Sequence, residues 1–275
     1  MNVYEETQLI LHKYKIQANK SLGQNFLVDD NVIDEIIRSS NINKQDLIIE
    51  IGPGLGVLTN RLLQEANNII AVELDKRMVN ILQDRFIINI NGQAESKLEI
   101  INEDVLKINL NEIIVEKRKQ TEIKNVKIVA NLPYYISTPI IMKLLENRLD
   151  IDEIIVMVQK EVAERLTAKT GTRLAGAITY AVEYYSDATG IIKVSKESFV
   201  PSPKVESEVI KLKVRKDKKI QVKDEKLLFN IISKSFMQRR KTLSNVLTNN
   251  NIMHSKEDVK NMWKELKIDE NVRGE

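Results

Sequence analysis

The sequence contains no cysteine and only two histidines in its 275 residues. The absence of cysteine excludes a thiolate nucleophile, an iron–sulfur cluster on cysteine ligands and a cysteine-based zinc site. His12 and His254 lie at opposite ends of the chain. We therefore expect an activity that needs no metal. A chain without cysteine also fits a reducing compartment.

Long apolar runs are missing as well, since none reaches the roughly 18 residues that would indicate a membrane span. Glu5 and Glu6 precede only a short apolar run at 9–11, so the N-terminus lacks the basic flank and long apolar segment of a signal peptide. The apolar content of 43% and the charged content of 29% are ordinary for a globular protein. These features predict a cytoplasmic protein that does not enter a membrane.

Two common nucleotide-binding motifs are also absent. The chain has no G-x-x-x-x-G-K loop, and its glycine-rich stretch at 52–56 differs from the dinucleotide fingerprint, in which a third glycine would replace Val57. Gly52 and Gly54 follow a predicted buried strand, where glycine lets the backbone approach a ligand. From this stretch alone, a tight structural turn is about as plausible as a cofactor loop.

Polar residues follow the other predicted strands of the first half of the chain. Glu73 lies about 20 residues beyond the glycines, a spacing at which an acid binds both hydroxyls of a ribose, whereas Asp75 is interpreted as a helix cap. Asp104 either accepts a hydrogen bond from an adenine amino group or caps a helix. The carboxyl ends of parallel strands meet at one edge of a sheet, so these residues, with Asn131, predict a nucleoside cofactor site. The strands are predicted at 47–51, 69–72, 98–101 and 126–130.

The tetrapeptide Asn131-Leu132-Pro133-Tyr134 suits an exocyclic amine on a flat base. Such an amine is a poor nucleophile because its lone pair is delocalised into the ring, and acceptors aimed at its hydrogens would free that lone pair. Asn131 offers a side-chain oxygen, and Pro133 lets a turn present carbonyls without a competing N–H. Tyr134 offers a face for stacking. A strand-ending turn with no ligand explains the tetrapeptide about equally well.

Two loops complete the candidate site. Residues 20–27 contain Gly23 and have neither helical nor strand period, so their polar side chains are free to contact a ligand. Phe199 begins a loop fixed by two prolines and is positioned to close over a base from the face opposite Tyr134. The alternative for Phe199 is an ordinary core aromatic.

Positive charge is concentrated in one segment. Residues 211–241 carry twelve basic and three acidic side chains, a net charge of +9, whereas the whole chain carries +3 and the remainder is therefore at −6. This asymmetry predicts an anionic partner, with a solvated lysine-rich linker as the alternative. Predicted helices at 227–237, 242–247 and 256–266 indicate a small second domain. We place the boundary between residues 215 and 216, with a first domain of 1–215 and a second of 216–275.

Taken together, the segments resemble one family, the adenosine N6,N6-dimethyltransferases of small-subunit (16S) ribosomal RNA. The resemblance covers nearly the whole chain, and the ordered set is specific although each piece alone is not. It implies a class I, Rossmann-like methyltransferase fold, with a mostly parallel seven-stranded sheet flanked by helices, followed by a small all-helical domain. The matching segments are 20–27, 50–56, 72–75, 131–134, 199–207 and 236–243.

The resemblance also implies roles for individual residues. Asn131, the backbone at Leu132, Pro133, Tyr134 and Phe199 would hold the target adenine, with Asn131 and Leu132 bonded to its N6 and the base between the two rings. The methyl group would move by direct displacement from S-adenosylmethionine, without metal or covalent enzyme intermediate. Implied cofactor contacts are Asn25, Leu27, Gly52, Gly54, Glu73, Asp104 and Asn131. Implied RNA contacts are Lys20, in the N-terminal loop of residues 1–30, and Arg239, Arg240 and Lys241.

The expected partner is 16S rRNA in the small ribosomal subunit or its precursor, bound by a monomer with a role in subunit biogenesis. A related dimethylase of 23S rRNA, which confers macrolide resistance, shares the cofactor site, but the run 238–243 favours the small-subunit enzyme. A DNA adenine methylase would need a sequence-reading domain that is not visible. A ribosome-assembly factor that binds RNA without methylating it is the alternative from another class. Members of the family are expected to continue past residues 271–275 into another short helix.

Overall fold

The computed structural model describes residues 1–19, 22–90, 93–95, 97–217 and 220–274. They form two compact units, one made of 1–163 with 186–215 and the other of 164–185 with 216–275. No helix in these described ranges is both long and apolar enough to cross a bilayer. The first unit contains all of the strands described below, and the second is helical.

The described strands and helices follow in chain order. The strands are β1 (Phe26–Leu27), β2 (Leu47–Ile51), β3 (Asn68–Val72), β4 (Ile88–Ile90), β5 (Gln93–Glu95), β6 (Leu98–Ile101), β7 (Val126–Asn131), β8 (Glu153–Gln159), β9 (Ser186–Val194), β10 (Phe199–Val200) and β11 (Ser207–Val214). The helices are α1 (Val3–Tyr14), α2 (Asp30–Ser40), α3 (Val57–Glu65), α4 (Lys76–Phe86), α5 (Leu110–Gln120), α6 (Ser137–Glu146), α7 (Lys160–Thr167), α8 (Ala177–Tyr185), α9 (Glu225–Met237), α10 (Leu243–Asn249) and α11 (Lys256–Leu266).

Seven strands form the central sheet in the order β6-β3-β2-β7-β8-β11-β9. The five strands from β6 to β8 are parallel, whereas β11 is antiparallel to both β8 and β9. The predicted class I methyltransferase fold with a mostly parallel seven-stranded sheet is therefore confirmed. β4 pairs with β5, and β1 with β10, as separate two-stranded ribbons.

The sheet has its topological switch point between β2 and β7. From β2 the chain passes outward to β3 and β6, and then returns to β7 on the other side of β2. In open α/β sheets, ligands bind outside the carboxyl ends of the strands at such a point, because the loops there diverge to opposite sides of the sheet. β2 is buried along its whole length, as its apolar run predicts. The topology thus favours a site at the carboxyl ends of β2 and β7, which are residues 51 and 131.

Helix caps and packing hold the loops around this point. Asp29 caps α2 by accepting hydrogen bonds from the backbone of the first turn, and Asp75 caps α4 in the same way, as predicted. Arg85 on α4 donates to the Leu55 carbonyl in the glycine-rich turn. Gly56 has φ +78°, and a Cβ there would lie 2.6 Å from a ring carbon of Phe86. Only glycine therefore lets this turn lie so close to α4.

The second unit has its own small core. Leu247 and Val259 are buried with Trp263, and Trp263 is 5% exposed. Aromatic contacts join α8 to α9: the ring centroids of Tyr180 and Phe236 are 5.4 Å apart. These contacts explain why α8, which lies before the predicted boundary at 215/216, groups with the C-terminal helices. The boundary between residues 215 and 216 stays a prediction.

A few elements differ from the sequence-based expectations. α5 was not predicted, although Asn109 caps it and Leu110 and Ile114 bury one face. The sequence pattern predicts a strand from residue 190, whereas β9 begins at Ser186, because its pairing with β11 continues to the far end of that strand. The pattern also predicts a helix from residue 174, whereas α8 starts at Ala177.

Candidate active site

A cavity of about 810 Å³, measured with its open mouth, lies at the carboxyl ends of the parallel strands. Its walls come from the loop at 22–26 and from the segments that follow β2, β3, β6 and β7. The predicted site residues that line it are Asn25, Gly52, Gly54, Glu73, Asp104, Asn131, Leu132, Pro133 and Tyr134.

The glycine-rich turn leaves the floor of the cavity open. Gly52 has φ +68°, and a Cβ there would meet only Pro133 Cδ at 3.8 Å and the Asn131 carbonyl oxygen at 3.9 Å, in ordinary contact. A side chain at this position would therefore occupy the cavity rather than collide with the protein. Gly52 thus fits a turn against which a ligand lies, while Gly56 fits one that packs on a helix.

Glu73 is the most buried acid that lines the cavity, at 7% exposure. Its Oε2 accepts from the Gly54 N–H at 3.1 Å and its Oε1 from the Asp75 N–H at 2.8 Å, so the carboxylate bridges the ends of β2 and β3. Burial raises its pKa above the usual value, against the opposing effect of these backbone hydrogen bonds. Each oxygen retains a further lone pair that can accept from a ligand hydroxyl.

Asp104 lies in a turn rather than at a helix start. Its Oδ1 accepts from the Leu106 N–H at 2.9 Å, whereas the next helix, α5, begins at residue 110 and is capped by Asn109. The helix-cap alternative is therefore not what the structure shows. Because Asp104 also lines the cavity, its second carboxylate oxygen can still accept from an amino group.

Asn131 ends β7 and faces the N-terminal loop. Its Nδ2 donates to the Asn25 carbonyl at 3.4 Å, and Asn25 Nδ2 donates to the Gly23 carbonyl at 3.1 Å. This bond assigns the side-chain nitrogen of Asn131 to the loop and leaves Oδ1 as an acceptor. The N–H of Leu132 donates to the Met157 carbonyl at 3.2 Å, so its backbone donor is already satisfied.

Tyr134 is held by its hydroxyl. The hydroxyl lies 2.6 Å from Ser207 Oγ at the start of β11, and burial raises its pKa. Ser137 Oγ also donates to the Tyr134 carbonyl at 3.2 Å, which fixes the turn that follows Pro133. The ring therefore has a fixed position at the cavity wall.

Two of the residues predicted to contact the cofactor or the target adenine do not line the cavity. Leu27 and Phe199 are Cα partners in the β1–β10 ribbon, and each is 3% exposed within the main apolar core. Here Phe199 is a core aromatic, and its contact with a base stays a prediction. Lys20 lies outside the described residues.

Several side chains that support the site were not predicted from the sequence. Gln24 Nε2 donates to Asp75 Oδ2 at 2.9 Å and ties the N-terminal loop to the end of β3. Asn102 Nδ2 donates to the Glu73 carbonyl at 2.8 Å. Lys143 on α6 donates from Nζ to the carbonyls of Val105 and Ile108, which fixes the loop after Asp104. These bonds join segments far apart in sequence, and no local pattern indicates them.

Glu50 is a further buried acid beside the site. It lies on β2 at 1% exposure and accepts from Thr59 Oγ1 at 2.6 Å. Burial raises its pKa to about 8, and the neighbouring charge of Glu73 acts in the same direction. An acid within an otherwise apolar strand is the signal of such a group in the sequence.

The predicted basic contacts of the second unit are exposed but not equivalent. The Arg239 guanidinium lies 5.0 Å from the centroid of the Phe236 ring and donates to the Ala175 carbonyl, so it also supports the packing of that unit. Arg240 and Lys241 are exposed. In the first unit, Lys211 forms an ion pair with Glu153 at 2.7 Å and is not a free surface charge.

Comparison with known proteins identifies the family. The chain matches the family model described as ribosomal RNA adenine dimethylase over residues 15–274. The chain belongs to this family. A ribosomal RNA small subunit methyltransferase A from Alkaliphilus oremlandii is 42% identical over 271 residues, which covers 98% of this chain and 91% of that protein. The predicted family is therefore confirmed, and the protein is an S-adenosylmethionine-dependent rRNA adenine dimethylase.

Solved structures agree on the fold. The crystal structure of a dimethyladenosine transferase from Plasmodium falciparum has a TM-score of 0.68 and 28% identity, and the match covers 89% of this chain and 82% of that one. The crystal structure of the 23S rRNA methyltransferase ErmE has a TM-score of 0.64 and 20% identity, with 91% and 93% covered. The second likeness concerns the fold alone.

Proposed function

We propose that this adenine dimethylase transfers methyl groups from S-adenosylmethionine to the N6 atoms of two adjacent adenosines in the 3′-terminal hairpin loop of 16S rRNA. The observation that carries this proposal is the meeting of Glu73, Asp104, Asn131 and Tyr134 around one cavity at the sheet's switch point. We also propose that the protein acts as a cytoplasmic monomer.

On the cofactor side, the residues fit a nucleoside with a cationic group. The Glu73 oxygens would accept from the two ribose hydroxyls, and Asp104 would accept from the adenine amino group. Gly52 leaves room for the ligand, since a Cβ there would fill the cavity. Asn25 and Gly54 would complete this half. When bound, the cofactor supplies an electrophilic sulfonium methyl group.

On the substrate side, the protein's task is to orient and activate an amine. Asn131 Oδ1 and the Leu132 carbonyl would accept from the two hydrogens of the adenine N6, which draws its lone pair out of the ring and toward the methyl group. Pro133 adds no competing N–H. The ring of Tyr134, fixed by its bond to Ser207, would stack on the base. Fixing the amine in line with the methyl group lowers the barrier through orientation.

The choice of the small subunit rests on relatives. A protein 42% identical to this chain is named ribosomal RNA small subunit methyltransferase A, and the resemblance of the run 238–243 to the small-subunit enzymes favours the same choice. We propose that Arg240 and Lys241 contact phosphates of the RNA, and that Arg239 does so in addition to its packing role.

The test uses the purified protein, labelled S-adenosylmethionine and unmethylated ribosomal subunits. We expect label in the RNA of immature small subunits and none in large subunits assayed in parallel. Label only in large subunits would overturn the proposal in favour of the 23S enzyme, and erythromycin tolerance of cells with and without the gene would then differ. Binding to small subunits without label in either RNA would indicate a non-catalytic assembly factor.

A further inference from the structure

Tyr135 presents an exposed aromatic ring at the mouth of the cavity. It is 55% exposed and lines the same cavity as Asn131 and Tyr134. In the described part of the chain, the only other aromatic side chain that is more than half exposed is Tyr4, which is on α1 and does not line the cavity. An exposed aromatic ring at the rim of a site offers a surface on which a base can stack.

The ring of Tyr135 is held in place although it is exposed. It lies in the short 3-10 turn 134–136, where the Ile136 N–H donates to the Pro133 carbonyl at 3.2 Å. The turn of the N-terminal loop lies against the ring: a Cβ on Gly23 would be 3.3 Å from Tyr135 Cδ1 and 3.6 Å from Cε1. The glycine lets the loop backbone pack on the ring, so the ring is fixed before any ligand binds.

The two adjacent tyrosines are used differently. Tyr134 is half-buried and its hydroxyl is anchored on Ser207, whereas no hydrogen bond to the Tyr135 hydroxyl is found among the described residues. The Tyr135 hydroxyl therefore does not anchor the ring as the Tyr134 hydroxyl does, and the exposed ring can contact a base. Tyr135 follows Tyr134 directly and lines the same cavity, so a nucleotide joined to a base held at Tyr134 would lie near its ring.

We propose that Tyr135 is a stacking platform for the base that neighbours the adenosine in the cavity. This inference rests on the proposed function. An adenosine that enters the cavity leaves the stack of its strand, which costs a few kcal/mol and leaves its neighbour with one uncovered face. The fixed ring of Tyr135 replaces the lost stack. Because every base has an aromatic face, such a contact tolerates different neighbours and favours an unpaired strand over a duplex.

The test measures single-turnover methylation of small subunits whose rRNA carries, beside the target adenosine, either the normal base or an abasic nucleotide. We expect Tyr135→Ala to lower kcat/KM roughly 5- to 150-fold on the normal RNA, the factor that corresponds to a loss of about 1–3 kcal/mol per base–aromatic stack. The same change should have little effect on the abasic RNA. Tyr135→Phe should restore the activity, and Tyr4→Ala, the matched exposed tyrosine, should leave it unchanged.

The affinity for S-adenosylhomocysteine and the melting temperature of each variant separate stacking from damage to the cavity. A loss in Tyr135→Ala that is equal on both RNAs, or matched by a loss of S-adenosylhomocysteine affinity, would overturn the proposal, as would no loss on the normal RNA. If Tyr135→Ala does not fold, the methylation rates of wild type and Tyr135→Phe on the normal and the abasic RNA are compared instead. Equal rates on the two RNAs would overturn the proposal. Wild-type protein that fails to methylate small subunits would overturn the proposed function as well.

Discussion

Replacing Asn131 by alanine should slow methyl transfer without unfolding the protein. In the structure the side-chain nitrogen of Asn131 donates to the Asn25 carbonyl at 3.4 Å, a long and weak bond, while Oδ1 is the acceptor available to a substrate amine. Losing such an acceptor resembles the loss of one oxyanion-type hydrogen bond. We therefore expect a single-turnover rate about 10² to 10³-fold lower, or about 2.7–4 kcal/mol of transition-state stabilisation.

A structural asparagine provides the matched control. Asn109 caps α5 by accepting from the backbone N–H groups of Asn111 and Glu112, and it does not line the cavity. Asn109→Ala should cost about 1 kcal/mol of unfolding free energy, the usual cost of losing a cap, and leave the rate unchanged. The two variants should therefore change different quantities in the same pair of assays, thermal melting and single-turnover methylation.

The reasoning fails if Asn131→Ala behaves like Asn109→Ala. A lowered melting temperature with a near-normal rate, at saturating cofactor and RNA, would show that Asn131 only closes a turn. Saturation has to be demonstrated by titration, because Asn131 also borders the cofactor half of the cavity and weaker binding would imitate slower chemistry.

Three further predictions concern other groups. Glu73→Gln places an N–H donor opposite the backbone N–H of Gly54 or of Asp75, so calorimetry should show S-adenosylhomocysteine affinity roughly 10- to 150-fold lower, and unchanged affinity would refute the ribose assignment. The pKa of Glu50 is raised from 4.5 to about 8, so between these values the folded state holds a proton that the unfolded state releases. The free energy of unfolding should therefore fall as pH rises from about 4.5 to about 8. Urea titrations of Glu50→Gln should lack this contribution to the pH dependence. The same fall of stability with pH in wild type and in Glu50→Gln would contradict this prediction. Replacing Arg240 and Lys241 together by alanine should lower the salt slope of subunit binding by about 0.7–0.9 per lost phosphate contact, and an unchanged slope would show a merely solvated surface.

The strand ends were predictable from the sequence for a physical reason. Buried parallel strands read as short apolar runs, and their carboxyl ends must share one edge of the sheet. Gly52, Glu73 and Asn131 could therefore be assigned to one cavity although they are far apart in the chain. The cap at Asp75 followed from its position ahead of a helical pattern.

What could not be predicted depends on contacts between distant segments. The pairing of Leu27 with Phe199 buries both side chains, and no local pattern shows which strand a two-residue segment will join. The bonds from Lys143 to the loop after β6 likewise require the packed structure. The grouping of α8 with the C-terminal helices rests on aromatic contacts such as Tyr180 with Phe236, which no composition shift marks.

The most direct test of the account is the chemical identity and position of the product. Small-subunit rRNA would be treated with the protein and S-adenosylmethionine, digested, and analysed by mass spectrometry. The account predicts N6,N6-dimethyladenosine at two adjacent positions of one 3′-terminal fragment. Methylation at a ring nitrogen or a ribose, at unrelated positions, or only in large-subunit rRNA would contradict it.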